Sequence, residues 1–215
     1  MINLLKLSDF YQPLNISTIT FSLLFFLFFD AIGSFIRRFI SQNKNTDKFR
    51  ILNWLLGFGF FIFIWFILRL FLPPRQNYVI ISSVLFALVS IPSYVKDGQL
   101  KKLFSAIWQL KVPLLIIAPF LPAVFVKASL PPYYADEMAY QFIPPYFRDL
   151  IDIWRFDGGL YSNVPQLFNT FFNLVFAVTK TYSIVRLFHF LILVTATSFA
   201  YLKLKVHFGR VSAFL

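Results

Sequence analysis

The sequence predicts an all-α fold, a polytopic transmembrane helical bundle of about five spans with interfacial helices in one outer loop. Three observations carry this. Of 215 residues, 59% are hydrophobic, 21% are aromatic and only 13% are charged, which leaves a water-soluble fold of this length without enough polar surface to cover itself. The apolar residues fall in runs near the roughly 20 residues that cover about 30 Å of hydrocarbon at about 1.5 Å of rise each. The basic residues form short clusters between those runs, as a topological signal does. The net charge of +11 is therefore read as membrane orientation, and nucleic acid is excluded as a partner. The chain has no cysteine, which rules out disulfides, thiolate metal sites and a cysteine nucleophile.

Met1 to Tyr11 carries Lys6 and Asp9 and is followed by no small-residue cleavage site, so the N-terminus is expected to be retained. The first span is Ile16 to Ile36, interrupted by Asp30 and ended by Arg37 and Arg38. Asp30, an ionisable group inside a span, is expected to pair with Arg37 or to snorkel. The second span is Ile51 to Leu72, stopped by Pro73 and Pro74. The third is Tyr78 to Tyr94. The fourth is Leu103 to Val126, bent by Pro113, Pro119 and Pro122. The fifth is Ser183 to Leu202. Val164 to Val178 is short for a span and contains Asn169 and Asn173, so it reads as an amphipathic helix in the outer interface.

Loop charges orient the spans. Arg37, Arg38, Lys44, Lys48 and Arg50 against Asp47 alone make the first loop cytoplasmic, and Lys96, Lys101 and Lys102 fall on the same side two spans later. Lys203, Lys205 and Arg210 follow the fifth span on that side too, and the N-terminus lies outside. The chain thus divides into four N-terminal spans over 1–129, an outer loop with juxtamembrane helices over 130–182, and the fifth span with a truncated continuation over 183–215.

The outer loop differs in kind from its surroundings. Five of the nine acids in the chain lie between Leu130 and Gln166. Asp149 and Asp152 make ordinary near-neighbour pairs with Arg148 and Arg155 on a short helix. Asp136 and Glu137 come just after Pro131 and Pro132 have stopped the fourth span, and Tyr140 follows. A carboxylate at the membrane boundary, partly shielded from water, suits a general base; it equally suits a divalent metal beside a phosphate, with Asp136 as the ligand. Arg148, Arg155, Lys180 and Arg186 lie on the outer side against the positive-inside trend. They suit either the phosphate of a lipid carrier or anionic headgroups. Tyr133, Tyr134, Tyr140, Tyr146, Trp154 and Tyr161 suit a sugar-stacking wall and equally an interfacial aromatic belt.

Asp136-Glu137-Met138-Ala139-Tyr140, directly after a span, resembles the Asp-Glu-x-x-Tyr signature of GT-C membrane glycosyltransferases, the superfamily of the protein O-mannosyltransferases and the bacterial aminoarabinose transferase. The likeness runs on through Gly158-Gly159-Leu160-Tyr161, Val164-Pro165-Gln166 and Arg186-Leu187-Phe188-His189, and covers about Leu130 to Arg210. It implies a polyprenyl-phosphate-linked sugar as donor, membrane lipid as surroundings and a bacterial inner (plasma) membrane as location. It also implies Asp136 as general base and Glu137 as the group that orients it or the donor. Tyr140, Arg148, Arg155, Asp157, Tyr161 and Arg186 are the substrate-binding candidates. Two departures stand out. Tyr161-Ser162-Asn163-Val164-Pro165 lacks the charged residue that many relatives carry before that proline, a role Asp157 is placed to take, and Gln141 stands where many bacterial relatives have histidine. Five spans are fewer than that family builds, and Val211 to Leu215 reads as the opening of another, so the chain is expected to be an N-terminal fragment. Two other classes compete: a transporter or channel subunit, for which Asp30 and His189 are the polar groups within spans, and a non-catalytic membrane scaffold.

Overall fold

The computed structural model describes residues 15–40, 50–68, 76–130 and 183–212, with 171, 174, 175, 178 and 179 between the last two segments. These residues are helical, with no strand among them. The elements are α1 (Ile16–Ile40), α2 (Asn53–Leu68), α3 (Gln76–Lys96), α4 (Gln99–Gln109), α5 (Lys111–Ile117), α6 (Leu121–Ser129) and α7 (Ser183–Ser212). A 3-10 turn precedes α2 at 50–52, and another, Ala118–Phe120, joins α5 to α6. Among the described residues five helical stretches are long and apolar enough to cross a bilayer: Ile16–Ile40, Arg50–Leu68, Gln76–Lys96, Lys111–Ser129 and Ser183–Val206. The chain is an integral membrane protein.

The closest helix pair is α1 with α2, and glycine is the reason. A Cβ built at Gly33 would fall on the Asn53 carbonyl oxygen, and one at Gly57 on the Phe29 carbonyl oxygen. Only hydrogen at those positions lets the two backbones meet, the usual device where lipid supplies no hydrophobic force between helices. Asn53 then donates to Ser34 Oγ at 3.1 Å and accepts from Arg37 Nη1 at 2.8 Å. Side chains from α1, α2 and α7 converge on an aromatic centre. Phe29 meets Phe58 and Phe188 edge-on, with ring centroids 5.3 and 5.7 Å apart, and Phe171 lies 4.9 Å from Phe58 and 5.0 Å from Phe188. Indole N–H groups link further spans, Trp54 Nε1 donating to Thr195 Oγ1 and Trp65 Nε1 to Ser82 Oγ, both at 3.0 Å. Each satisfies a donor that has no water to turn to.

The fourth span differs from its expectation. Leu103 to Val126 is not one bent rod. Pro113 has no N–H for the Gln109 carbonyl and its ring would strike it, so the helix stops at Gln109, turns through Leu110 and restarts at Lys111. Pro119 and Pro122 fall in the opening positions of the 3-10 turn and of α6, where a missing donor costs least. The span is Lys111–Ser129. What precedes it is a separate amphipathic helix, α4, with Leu103 buried and Leu100, Phe104 and Trp108 exposed. Gly98, at φ 62, makes the joint from α3 to α4, a left-handed turn that glycine adopts without strain.

The ends of the bundle are unlike. At one end lie Arg37, Arg38, Arg50, Lys96, Lys101, Lys102, Lys111, Lys203 and Lys205, and at the other, among the described residues, Lys127 and Arg186. Arg38 reaches from α1 to α3, donating to the Ser93 carbonyl at 2.9 Å and pairing with Asp97.

Candidate functional site

The sequence points to the end opposite the basic one, where α6 stops and α7 begins. Asp136, Glu137, Tyr140, Arg148, Arg155, Asp157 and Tyr161 lie outside the described residues; Arg186 lies within them. Helix α6 ends at Ser129, and Leu130 turns to extended backbone at φ −71, ψ 149. Pro131 follows, so the Lys127 carbonyl has no N–H four residues on to satisfy it. Arg186, in the first turn of α7, supplies the donor: Nη1 lies 3.0 Å from the Lys127 oxygen and also donates to the Leu130 oxygen. The guanidinium thus ties the exit of one span to the entry of the next. This use was not among the sequence expectations for Arg186, which concerned phosphate or headgroups, yet the proline four residues after Lys127 signals it.

Phe171, Leu174 and Val175 are buried in the aromatic centre. Their spacing, with Val178, sets one helical face against the bundle. Leu130 and Phe171, the described residues on either side of 131–170, are thus both held by the bundle. Beside Phe171, residues of α1, α2 and α3 with Phe171, Leu174, Val175 and Val178 line a cavity of about 330 Å³. Phe21, Phe25, Phe61, Val84 and Leu174 are typical of its walls, and among the described residues Ser83 is the one polar side chain in them.

A second polar constellation lies towards the basic end. Asp30 is fully buried, and its carboxylate accepts from Arg50 Nη1 and Nη2 and from the Tyr94 hydroxyl, each at 2.5 Å. Arg50 Nη2 also donates to the Gln99 carbonyl at 3.2 Å, so one fork joins α1, α2, α3 and α4. The expected partner, Arg37, is engaged with Asn53 instead, and Asp30 does not snorkel. The reason is geometric: Arg37 stands two turns further along α1, whereas Arg50 enters from the facing helix with a planar fork that fits a carboxylate. The signal in the sequence is that Ile51 and Leu52 follow Arg50 directly, leaving it no polar neighbour on that side. The Asp30–Arg50 pair is charge-neutral. His189, the other polar group noted in a span, is exposed on α7. Among the described residues no group of three His, Asp or Glu side chains is placed to hold a metal.

No family model, no curated protein and no solved structure matches this chain.

Proposed function

We propose that the chain is a membrane glycosyltransferase that moves a sugar from a polyprenyl phosphate to an acceptor hydroxyl at the outer membrane face, with the basic end in the cytoplasm. The observation that carries the reading is the Asp136-Glu137…Tyr140 signature, set seven residues after membrane helix α6 ends at Ser129. Three features support it. Arg186 ties the exit of 131–170 to the end away from the basic cluster, and Phe171, Leu174 and Val175 hold its other flank in the aromatic centre of the bundle. The weight of Lys and Arg at the other end is the cytoplasmic signature of short loops. The cavity beside Phe171 is lined by hydrocarbon, which suits an isoprenoid chain.

In this reading Asp136 takes the proton of the acceptor hydroxyl as its oxygen attacks the anomeric carbon from the face opposite the donor phosphate. The new C–O bond forms as the bond from that carbon to the phosphate oxygen breaks, and polyprenyl phosphate leaves with its electron pair. Inversion follows from the single displacement. Arg148 and Arg155 stabilise the negative charge on the leaving phosphate. Arg186, already committed to two carbonyls, is a positioning residue. The Asp30 carboxylate, matched by Arg50 and Tyr94, gives no support to an ion pathway.

Because the natural sequence has no cysteine, topology can be read cleanly. A Ser162→Cys variant should react with an impermeant maleimide added outside intact cells, and Ser41→Cys only after the membrane is opened; the reverse pattern sinks the proposal. With radiolabelled polyprenyl-phosphate hexose as donor in proteoliposomes, Asp136→Asn should lower transfer by about 100-fold or more, the scale of general-base catalysis, while inserting normally. Undiminished transfer by that variant removes Asp136 from the role.

A further inference from the structure

At the basic end, the 3-10 turn before α2, one side of α4 and Leu202 of α7 line a cavity of about 210 Å³. This is several times the roughly 30 Å³ that one water occupies in the liquid. Its polar lining is Arg50, Lys102, Ser105 and Gln109, with Ile51 and Leu202 as apolar walls. Positions 102, 105 and 109 recur at three- and four-residue spacing and so share one side of α4. Among the described residues no carboxylate lines the cavity, and the nearby charge of Asp30 is taken up by Arg50 and Tyr94. Lys102 therefore leaves the site net positive.

A second observation is independent of the cavity's shape. Arg50 is 2% exposed, and its Nε has no hydrogen-bond partner, although the terminal nitrogens of the same guanidinium are engaged. Buried donors in native proteins are nearly all satisfied, so an orphan N–H on a residue that also lines a positive cavity points to an acceptor beside that residue. An ammonium, a hydroxyl, an amide and a guanidinium N–H, with no anion among them, complement phosphate oxygens.

The location identifies the source of the phosphate. The cavity lies where α2 and α7 meet the membrane boundary, and the other side of α4 exposes Leu100, Phe104 and Trp108, at 43%, 64% and 73%. Such a stripe beside a basic face is the form of a helix that lies in a headgroup layer. We infer that this cavity binds the phosphate of an anionic membrane lipid, a site separate from the outer segment and independent of the transfer reading.

The test uses the full chain reconstituted in phosphatidylcholine membranes, with spin-labelled phosphatidylglycerol or phosphatidylcholine as the probe. Phosphatidylglycerol should be preferred, and Lys102→Gln should weaken its association by roughly fivefold, the effect of one well-placed cation near a membrane surface. Adding Gln109→Leu should abolish the preference. Lys101→Gln, next in sequence but outside the cavity lining, should leave it intact. Both lysines are exposed, so these changes should leave the thermal midpoint where it was. Equal association of the two lipids overturns the inference, as do equal losses from Lys101→Gln and Lys102→Gln, which would indicate diffuse surface charge. Displacement of the labelled lipid by inorganic phosphate at comparable concentration also overturns it, because the ligand would then be a soluble phosphate. Asp136→Asn should not alter the lipid preference, so this result and the transfer result stand or fall separately.

Discussion

Asp30→Ala is expected to destabilise the protein by about 3–5 kcal/mol, the usual effect of leaving one member of a buried ion pair without its counter-charge. Asp30 and Arg50 have side chains 0% and 3% exposed, so neither can turn to water when the other is lost. In the variant the guanidinium keeps only the Gln99 carbonyl and the Tyr94 hydroxyl as acceptors, and its charge remains within the helix bundle. The double change Asp30→Ala with Arg50→Met removes the charge together with its partner and should recover most of the loss. Tyr94→Phe deletes one hydroxyl from the same carboxylate and should cost only the roughly 0.5–1.5 kcal/mol of a single hydrogen bond. Reversible unfolding in mixed detergent micelles measures all three. A double variant no more stable than Asp30→Ala would show that the pair's charge is not what couples these helices.

Gly33→Ala should weaken the fold by an amount at or above the roughly 1–3 kcal/mol of ordinary core overpacking. The atom in the way is the Asn53 carbonyl oxygen, part of a backbone that has no rotamer to change. Relief requires α1 and α2 to move apart, which also opens the contacts Asn53 makes to Ser34 and Arg37. Gly59 supplies the comparison, because a Cβ there meets nothing within 4 Å. Gly59→Ala should be neutral or slightly stabilising, since alanine is favoured over glycine in a helix interior by roughly 1 kcal/mol. Similar losses at the two positions would place the effect in helix propensity and not in the closeness of the seam.

The spans were legible because bilayer thickness imposes a length on any apolar helix, and no competing structure satisfies the backbone there. Four of the five runs expected from the sequence fall on the helices observed, though α7 continues ten residues past the expected end at Leu202. The fourth starts eight residues later than expected, at Lys111 and not Leu103. Hydropathy cannot separate a membrane helix from an amphipathic one abutting it, and Pro113, noted as a bend, is a full break. The partner of Asp30 was not legible either, because sequence proximity favours Arg37 while the fold brings Arg50 across from another helix. At the end opposite the basic one the sequence supplies residue types and order. Of its candidates Arg186 is among the described residues, and there it holds the backbone ends that frame the segment.

The jointed fourth span has a mechanical consequence. A continuous helix meets a thicker or thinner bilayer by tilting as one rod or by deforming the lipid around it. Two short helical pieces, joined through the 3-10 turn at Ala118–Phe120, can instead change the angle between them. The α1–α2 seam, locked backbone to backbone, has no such compliance. Hydrophobic mismatch should therefore be absorbed along Lys111–Ser129, and lipid chain length becomes a means of moving the anchor of the outer segment without disturbing the aromatic centre.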